Sequence, residues 1–292
     1  MPNKPIPFKF SLFPGDLINA MAGIKEICTR LNTTAEIFLG LDVEWKVSEI
    51  IAKGRKSKST LTKETLDMLS PLLLSQKYIS KVRDINEEHS EYFKKWIDAF
   101  QNMDDFEYAA KWYAQNQGSL IDLDKHQTYP ISMPYGNIFR WNFYVYPDMT
   151  CDLSQPWLDV EVDDFVPHDA IIVNRTERAI NPTISYAFLK KYEKRIIFAG
   201  HKEEWIIFCQ QFNLNIPRLI IKDFYELASV IRSAKLFIGN QSLCFSIAEA
   251  VKVPRILETC QYLPNVIPCG KDAYDFYFQQ PFEYMVDKLA NQ

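Results

Sequence analysis

Four short runs in this 292-residue chain follow apolar, strand-like residues and carry side chains suited to chemistry. They are Phe13-Pro-Gly-Asp16, Asn174-Arg-Thr-Glu-Arg178, Gly200-His-Lys-Glu203 and Gly239-Asn-Gln-Ser242. Gly239 follows a strand-like run and Ser242 opens a helical one. Glycine lets a backbone approach a ligand closely, while Asn240, Gln241 and Ser242 offer hydrogen bonds to a phosphate or a sugar. The same pattern also describes a plain strand–turn–helix junction with Ser242 as helix cap. Arg175 and Arg178 place two guanidinium groups in one loop, which suits a diphosphate because each binds two oxygens at once, or else serves surface ion pairs. Gly15-Asp16 makes Asp16 either a helix-capping acid or a base that takes a proton from an acceptor hydroxyl. Glu249, seven residues after Ser242, falls on the same side of the helix and faces either a ribose or solvent.

Other chemistry is weakly encoded. Asp122-Leu-Asp124 has the form of a metal-binding Asp-x-Asp, but so short a match arises easily by chance. The four histidines (89, 126, 168, 201) lack metal-ligand spacing, and no metal site or cofactor is expected. Gly-x-x-x-x-Gly-Lys-Ser/Thr, Gly-x-Gly-x-x-Gly and Gly-x-Ser-x-Gly are absent. That disfavours P-loop nucleotidases, ordinary dinucleotide dehydrogenases and α/β-hydrolases.

The elements that must hold these runs alternate. Ile6–Phe13 reads as a strand, Leu17–Leu31 as a helix and Ala35–Leu41 as a second strand, a βαβ unit of a parallel sheet. Between Glu44 and Gly118 strand signals fade. A Lys/Glu-rich helical pattern with Trp96, Phe100, Tyr108, Trp112 and Tyr113 predicts a large helical insertion. Its basic run Lys53–Lys58 is a solvated loop or a contact for an anion. Ser119–Asp124 returns to strand composition, and a Pro-rich connection falls near 147–168. From Ala170 the chain alternates apolar strands (170–174, 195–199, 219–221, 235–238, 255–257) with helices (184–192, 203–212, 224–234, 242–251). A last helix covers Pro281–Ala290. This is a doubly wound α/β pattern, in which ligands bind beyond the carboxyl ends of the strands.

Composition agrees with a packed protein: 47% of residues are hydrophobic, 14% are aromatic and the net charge is -4. A negative balance weighs against broad nucleic-acid binding. No apolar run reaches the roughly 20 residues of a membrane span. The N-terminus lacks an apolar leader, and the six cysteines form no Cys-x-x-Cys pair. The expected setting is the reducing cytoplasm.

The run Ser233-Ala-Lys-Leu-Phe-Ile-Gly-Asn-Gln-Ser-Leu-Cys-Phe-Ser-Ile-Ala-Glu-Ala-Val-Lys-Val-Pro-Arg255 resembles the donor-site segment of heptosyltransferase-like glycosyltransferases (family 9). Gly15-Asp16-Leu17-Ile18 is similar to that family's Gly-Asp turn. Gln241 stands where the family carries an acid, and Ser246 where it carries a histidine. The resemblance implies a GT-B architecture: two Rossmann-like domains, 1–165 on the acceptor side with the helical insertion at about 44–118, and 166–292 binding the nucleotide sugar. It implies metal-independent transfer of a sugar from a nucleoside-diphosphate sugar to an acceptor hydroxyl. Asp16 would be the general base. Gly200, Gly239, Asn240, Gln241 and Ser242 with the following helix N-terminus would form the diphosphate site. Arg175 and Arg178 would neutralise the leaving group, and Glu249 would meet the ribose. The acceptor would be a glycan or another hydroxyl-bearing molecule, with a nucleic-acid base as the minor option. Rival readings are a nucleotide-sugar-binding protein without transferase activity, a DNA-base glycosyltransferase, and an epimerase or hydrolase on the same fold.

Overall fold

The computed structural model describes residues 4–43, 61–101, 120–125 and 136–292. The chain divides into two compact units: Met1–Ser132 with Arg140–Cys151, and Met133–Phe139 with Asp152–Gln292. Among the described residues no helix is long and apolar enough to cross a membrane.

Among its described residues the first unit is built on a parallel four-stranded sheet. Its strands are β1 (Ile6–Phe10), β2 (Ala35–Leu39), β3 (Ile79–Asp84) and β4 (Ile121–Asp122), in the order β3-β2-β1-β4. Helix α1 (Pro14–Arg30) follows β1; every residue from Leu17 to Ile24 is buried, and Ile27 and Cys28 continue the burial along one side. Pro14 opens it at the position where a missing N–H costs nothing. Helix α2 (Lys63–Leu74), capped by Thr62, leads into β3, and α3 (Ser90–Gln101) follows.

Here the expected helical insertion is corrected. Residues 63–84 contribute a helix and a full strand of the sheet, pairing Ala35–Leu39 with Ile79–Asp84. The strand escaped notice because it is an edge strand. Only Ile79 of Ile79–Asp84 is buried, so its composition is polar. Residues 44–60 and 102–119, with the Lys53–Lys58 run and the aromatics Tyr108, Trp112 and Tyr113, lie outside the described residues. Among the described residues this unit also has a 3-10 turn at Ile85–Glu87, the short helix α4 (Trp141–Val145) and a 3-10 turn at Pro147–Met149.

The second unit carries a parallel five-stranded sheet: β5 (Ile171–Asn174), β6 (Ile196–Phe198), β7 (Leu236–Asn240), β8 (Arg255–Glu258) and β9 (Ala273–Phe276), ordered β6-β5-β7-β8-β9. Ile171, Val173, Phe198, Ile238 and Ile256 point to one face. There they pack with Phe208 and Phe212 of α5 (Lys202–Phe212) and with Phe282 and Val286 of α8 (Gln279–Ala290). The alternate residue Phe237 meets Phe245 of α7 (Leu243–Val251), which packs beside α6 (Phe224–Ser233). Helices therefore cover both faces, which is why the central strands read as continuous apolar runs.

Three details differ from the sequence reading. Residues Ala187–Arg195 form a 3-10 helix rather than an α-helix. The expected strand at 219–221 reduces to a single bridge between Phe198 and Arg218. Strand β9, with the mixed sequence Ala-Tyr-Asp-Phe, is a second polar edge strand that periodicity does not reveal.

Candidate functional site

All five strands of the second sheet are parallel, so their carboxyl ends share one edge. Asn174, Gly200, Gly239, Asn240 and Glu258 stand at or just beyond that edge. Gly239 is required by packing, because a Cβ there would lie 2.9 Å from the Asn174 carbonyl oxygen and 2.8 Å from the Phe237 ring. Gly200 is similar, with a Cβ reaching 3.1 Å from both Asn174 Nδ2 and Glu204 Oε2.

The loop after β5 is fixed by two buried side chains from other strands. Asn240, fully buried, donates from Nδ2 to the carbonyls of Thr176 (2.7 Å) and Ala179 (3.0 Å). Its Oδ1 accepts the Thr176 N–H at 2.9 Å. Glu258 at the end of β8 binds Arg175 in a two-pronged ion pair, Nε to Oε2 at 2.7 Å and Nη2 to Oε1 at 2.9 Å. The same carboxylate accepts the Tyr186 hydroxyl at 2.8 Å and the Asn181 N–H at 2.5 Å. Asn181 then reaches the loops after β8 and β9, accepting from Gln261 Nε2 and donating to the Tyr277 carbonyl. Burial works against the Arg175 charge, but its bonds to Glu258 more than offset this and its pKa rises. Burial, reinforced by the Glu258 charge, pushes the Tyr186 hydroxyl well above its ordinary value.

Against this immobilised loop lies a cavity of about 210 Å³, lined by Arg175, Thr176, Ile180, Glu204, Phe208 and Gln211 among others. Glu204, Phe208 and Gln211 come from one face of α5. Glu204 also accepts the His201 N–H at 3.2 Å, closing a capping box at the start of that helix. Thr176, which lies in a run singled out from sequence but was given no role there, and Glu204, just past the Gly200–Glu203 run, therefore join the site. Glu204 had a readable signal, an acid in the first turn of the helix after Gly200. Glu258 had a fainter one, an acid ending an apolar strand.

The sequence-derived candidates fare differently. Arg178 is exposed on the same loop as Thr176. Ser242 is the α7 cap, accepting the Phe245 N–H at 3.2 Å. Gln241 donates to the Leu263 carbonyl at 2.6 Å and to Asn265 Oδ1 at 3.0 Å. Arg175 and Asn240 act on the loop, since their polar groups are taken up by Glu258, Asn181, Thr176 and Ala179. Glu249 is fully buried. It binds Lys252 at 2.5 Å, Arg255, and the Cys269 N–H at 3.1 Å, so the placement expected for a ribose contact is filled by two cations. Lys252 stacks over Trp157 at 4.5 Å, and burial lowers its pKa despite Glu249.

In the first unit, Asp16 sits in the first turn of α1 immediately beyond β1, half-buried, with Gly15 beside it. Asp122 and Asp124 have a different use from the metal motif they imitate. Both bind the ammonium of Lys9, at 3.2 and 2.5 Å, and Lys9 is fully buried. Among the described residues, no cluster of His, Cys, Asp and Glu suits a metal ion.

No protein-family model matches the chain, and no curated protein sequence does. Solved structures do. The glycosyl transferase family 9 protein from Veillonella parvula aligns over 99% of this chain and 89% of its own, with a TM-score of 0.55 and 13% identity. E. coli ADP-heptose LPS heptosyltransferase II aligns over 99% of both chains, with a TM-score of 0.57 and 11% identity. E. coli heptosyltransferase WaaC, solved with ADP, aligns over 98% of this chain and 100% of its own, at 0.54 and 9%. The chain has the two-domain, parallel-sheet GT-B fold of these heptosyltransferases.

Proposed function

We propose that the protein is a glycosyltransferase that moves a sugar from a nucleoside-diphosphate sugar to an acceptor hydroxyl. The observation that carries this reading is the cavity at the carboxyl edge of the second sheet, bounded by a loop that Asn240 and Glu258 hold rigid. Open parallel sheets bind nucleotides at that edge, and one protein of the same fold was solved with ADP.

In this reading the nucleoside enters the cavity, where Ile180 and Phe208 supply apolar contact and Thr176, Glu204 and Gln211 supply polar contact. Arg178 and the N-terminus of α7 face the charge that develops on the departing diphosphate. Arg175 contributes indirectly, by fixing the loop. Asp16 of the first unit takes the proton from the acceptor hydroxyl as it attacks the anomeric carbon. No metal is assigned to the step, because the Asp122–Asp124 pair is committed to Lys9.

The test is a panel of labelled ADP-, UDP-, GDP- and dTDP-sugars, followed for release of the nucleoside diphosphate with and without saccharide acceptors. Release that depends on an acceptor, and that falls at least a hundredfold in Asp16→Asn, supports the reading. Full activity in Asp16→Asn refutes the assigned base. Nucleotide binding without release across the panel favours a binding protein.

A further inference from the structure

We infer that Lys9 and Asp124 are positioning residues that set the β1–α1 turn carrying Asp16; the inference rests on the reading of Asp16 as the base. Asp124 uses its two oxygens on different partners. Oδ2 binds Lys9 Nζ at 2.5 Å, and Oδ1 accepts the backbone N–H of Ser11 at 3.0 Å. Ser11 is the first residue beyond β1. The lysine is a rung of the β1–β4 pairing, opposite Asp122, and its carbonyl accepts the Leu123 N–H at 2.9 Å. Asp122 Oδ1 accepts both Lys9 Nζ at 3.2 Å and the Asp124 N–H at 3.0 Å. Lys9 and Asp124 are fully buried and Asp122 is 3% exposed.

An ionic cluster is a costly way to fill the interior of a sheet. Apolar residues of like volume commonly stabilise a fold as well or better, because two carboxylates and an ammonium must all be taken out of water. What the cluster supplies that apolar residues cannot is a directed acceptor for the Ser11 N–H. From Ser11 the chain has little slack before Asp16. Leu12 is fully buried, Phe13 precedes the helix, and the Phe13 carbonyl accepts the Asp16 N–H at 2.9 Å. Displacing Ser11 therefore displaces the first turn of α1, and an error of about 1 Å in a reacting group costs up to roughly a hundredfold in rate.

Asp124→Asn is the informative change. Nearly isosteric, it leaves one oxygen where two are needed; a donor NH2 against the buried Lys9 ammonium costs more than one against a backbone N–H, so the oxygen stays on Lys9 and the Ser11 N–H loses its acceptor. Amide hydrogen exchange on the full chain reads the effect without any substrate. The expected result is at least tenfold faster exchange at both Ser11 and Asp16, with Ala20–Ile24 of α1 unchanged. Unchanged exchange at Asp16 overturns the positioning role, even if Ser11 alone loosens. Turnover of ADP-heptose as probe gives the second readout: kcat falls roughly ten- to hundredfold with KM for the donor unchanged. A rise in KM with kcat unchanged also overturns it. Lys9→Met/Asp122→Asn/Asp124→Leu, which removes every charge of the cluster and leaves none unpaired, covers the case in which Asp124→Asn fails to fold, and the same exchange pattern is expected. Asp16→Asn runs alongside. Its full activity would remove the base, while the Ser11 and Asp16 exchange rates still decide whether the cluster holds the turn.

Discussion

Replacing Glu258 with leucine should be among the most damaging single changes in the second unit. The carboxylate is fully buried and satisfies four donors: Arg175 Nε at 2.7 Å, Arg175 Nη2 at 2.9 Å, the Asn181 N–H at 2.5 Å and the Tyr186 hydroxyl at 2.8 Å. In Glu258→Leu the guanidinium keeps only the Asn181 carbonyl, at 3.2 Å, and the faces of Tyr186 and Phe212. Removing one member of a buried ion pair costs about 3–5 kcal/mol, because the remaining charge is left uncompensated. The orphaned Tyr186 and Asn181 donors push the loss toward the upper end. At about 2–4 °C per kcal/mol for a domain of this size, the melting temperature should fall by about 6–20 °C. The control is Arg175→Met/Glu258→Leu, which removes both charges. Its loss should be only about 1–2 kcal/mol, reflecting the two remaining donors. Urea unfolding followed by circular dichroism, compared at constant slope, measures both variants. Equal or additive losses, with the double variant no better than Glu258→Leu, would refute the argument that an unpaired charge dominates the cost.

Two further outcomes follow from the geometry. Gly239→Ala should cost about 1–3 kcal/mol in the same assay, because its Cβ meets the Asn174 carbonyl, a backbone atom that cannot swing aside. An unchanged urea midpoint would show that β5 and β7 can spread. Asp122→Asn should stabilise the protein at pH 7. Burial, opposed by Lys9 and reinforced by the Asp124 charge, raises the Asp122 pKa in the fold, so its ionised form is penalised there. The amide oxygen can keep both bonds that Asp122 Oδ1 accepts. The gain is full above the raised folded pKa, shrinks as pH falls through that pKa, and vanishes below the ordinary aspartate value near 4. A gain that grows on acidification would contradict the assignment.

Much of the second unit was legible because its central strands are covered on both faces and read as unbroken apolar runs. The edge strands β3 and β9 were not, since each has a polar side and little buried area. The candidate loops were placed at the carboxyl edge by the alternation alone. The duties of individual residues were harder to read, because they depend on partners distant in sequence. Arg175 has the look of a phosphate ligand until Glu258, 83 residues away, is found holding it. Asp122 and Asp124 imitate a metal motif until Lys9 of β1 is placed between them. Glu249 and Arg255 are close enough in sequence to have suggested a pair, but only the fold shows that both are fully buried.

The central claim is that the second unit binds a nucleoside diphosphate at the carboxyl edge of its sheet. Thermal unfolding with ADP, UDP, GDP and dTDP, each in EDTA, tests it most directly. A ligand at a hundred times its Kd adds about 2.7 kcal/mol, equivalent to roughly 5–10 °C for a domain of this size. The account predicts a shift of that order with at least one of these nucleotides, undiminished by EDTA and reduced in Arg178→Ala. No shift with any of them, at millimolar concentration and with or without magnesium, would contradict it.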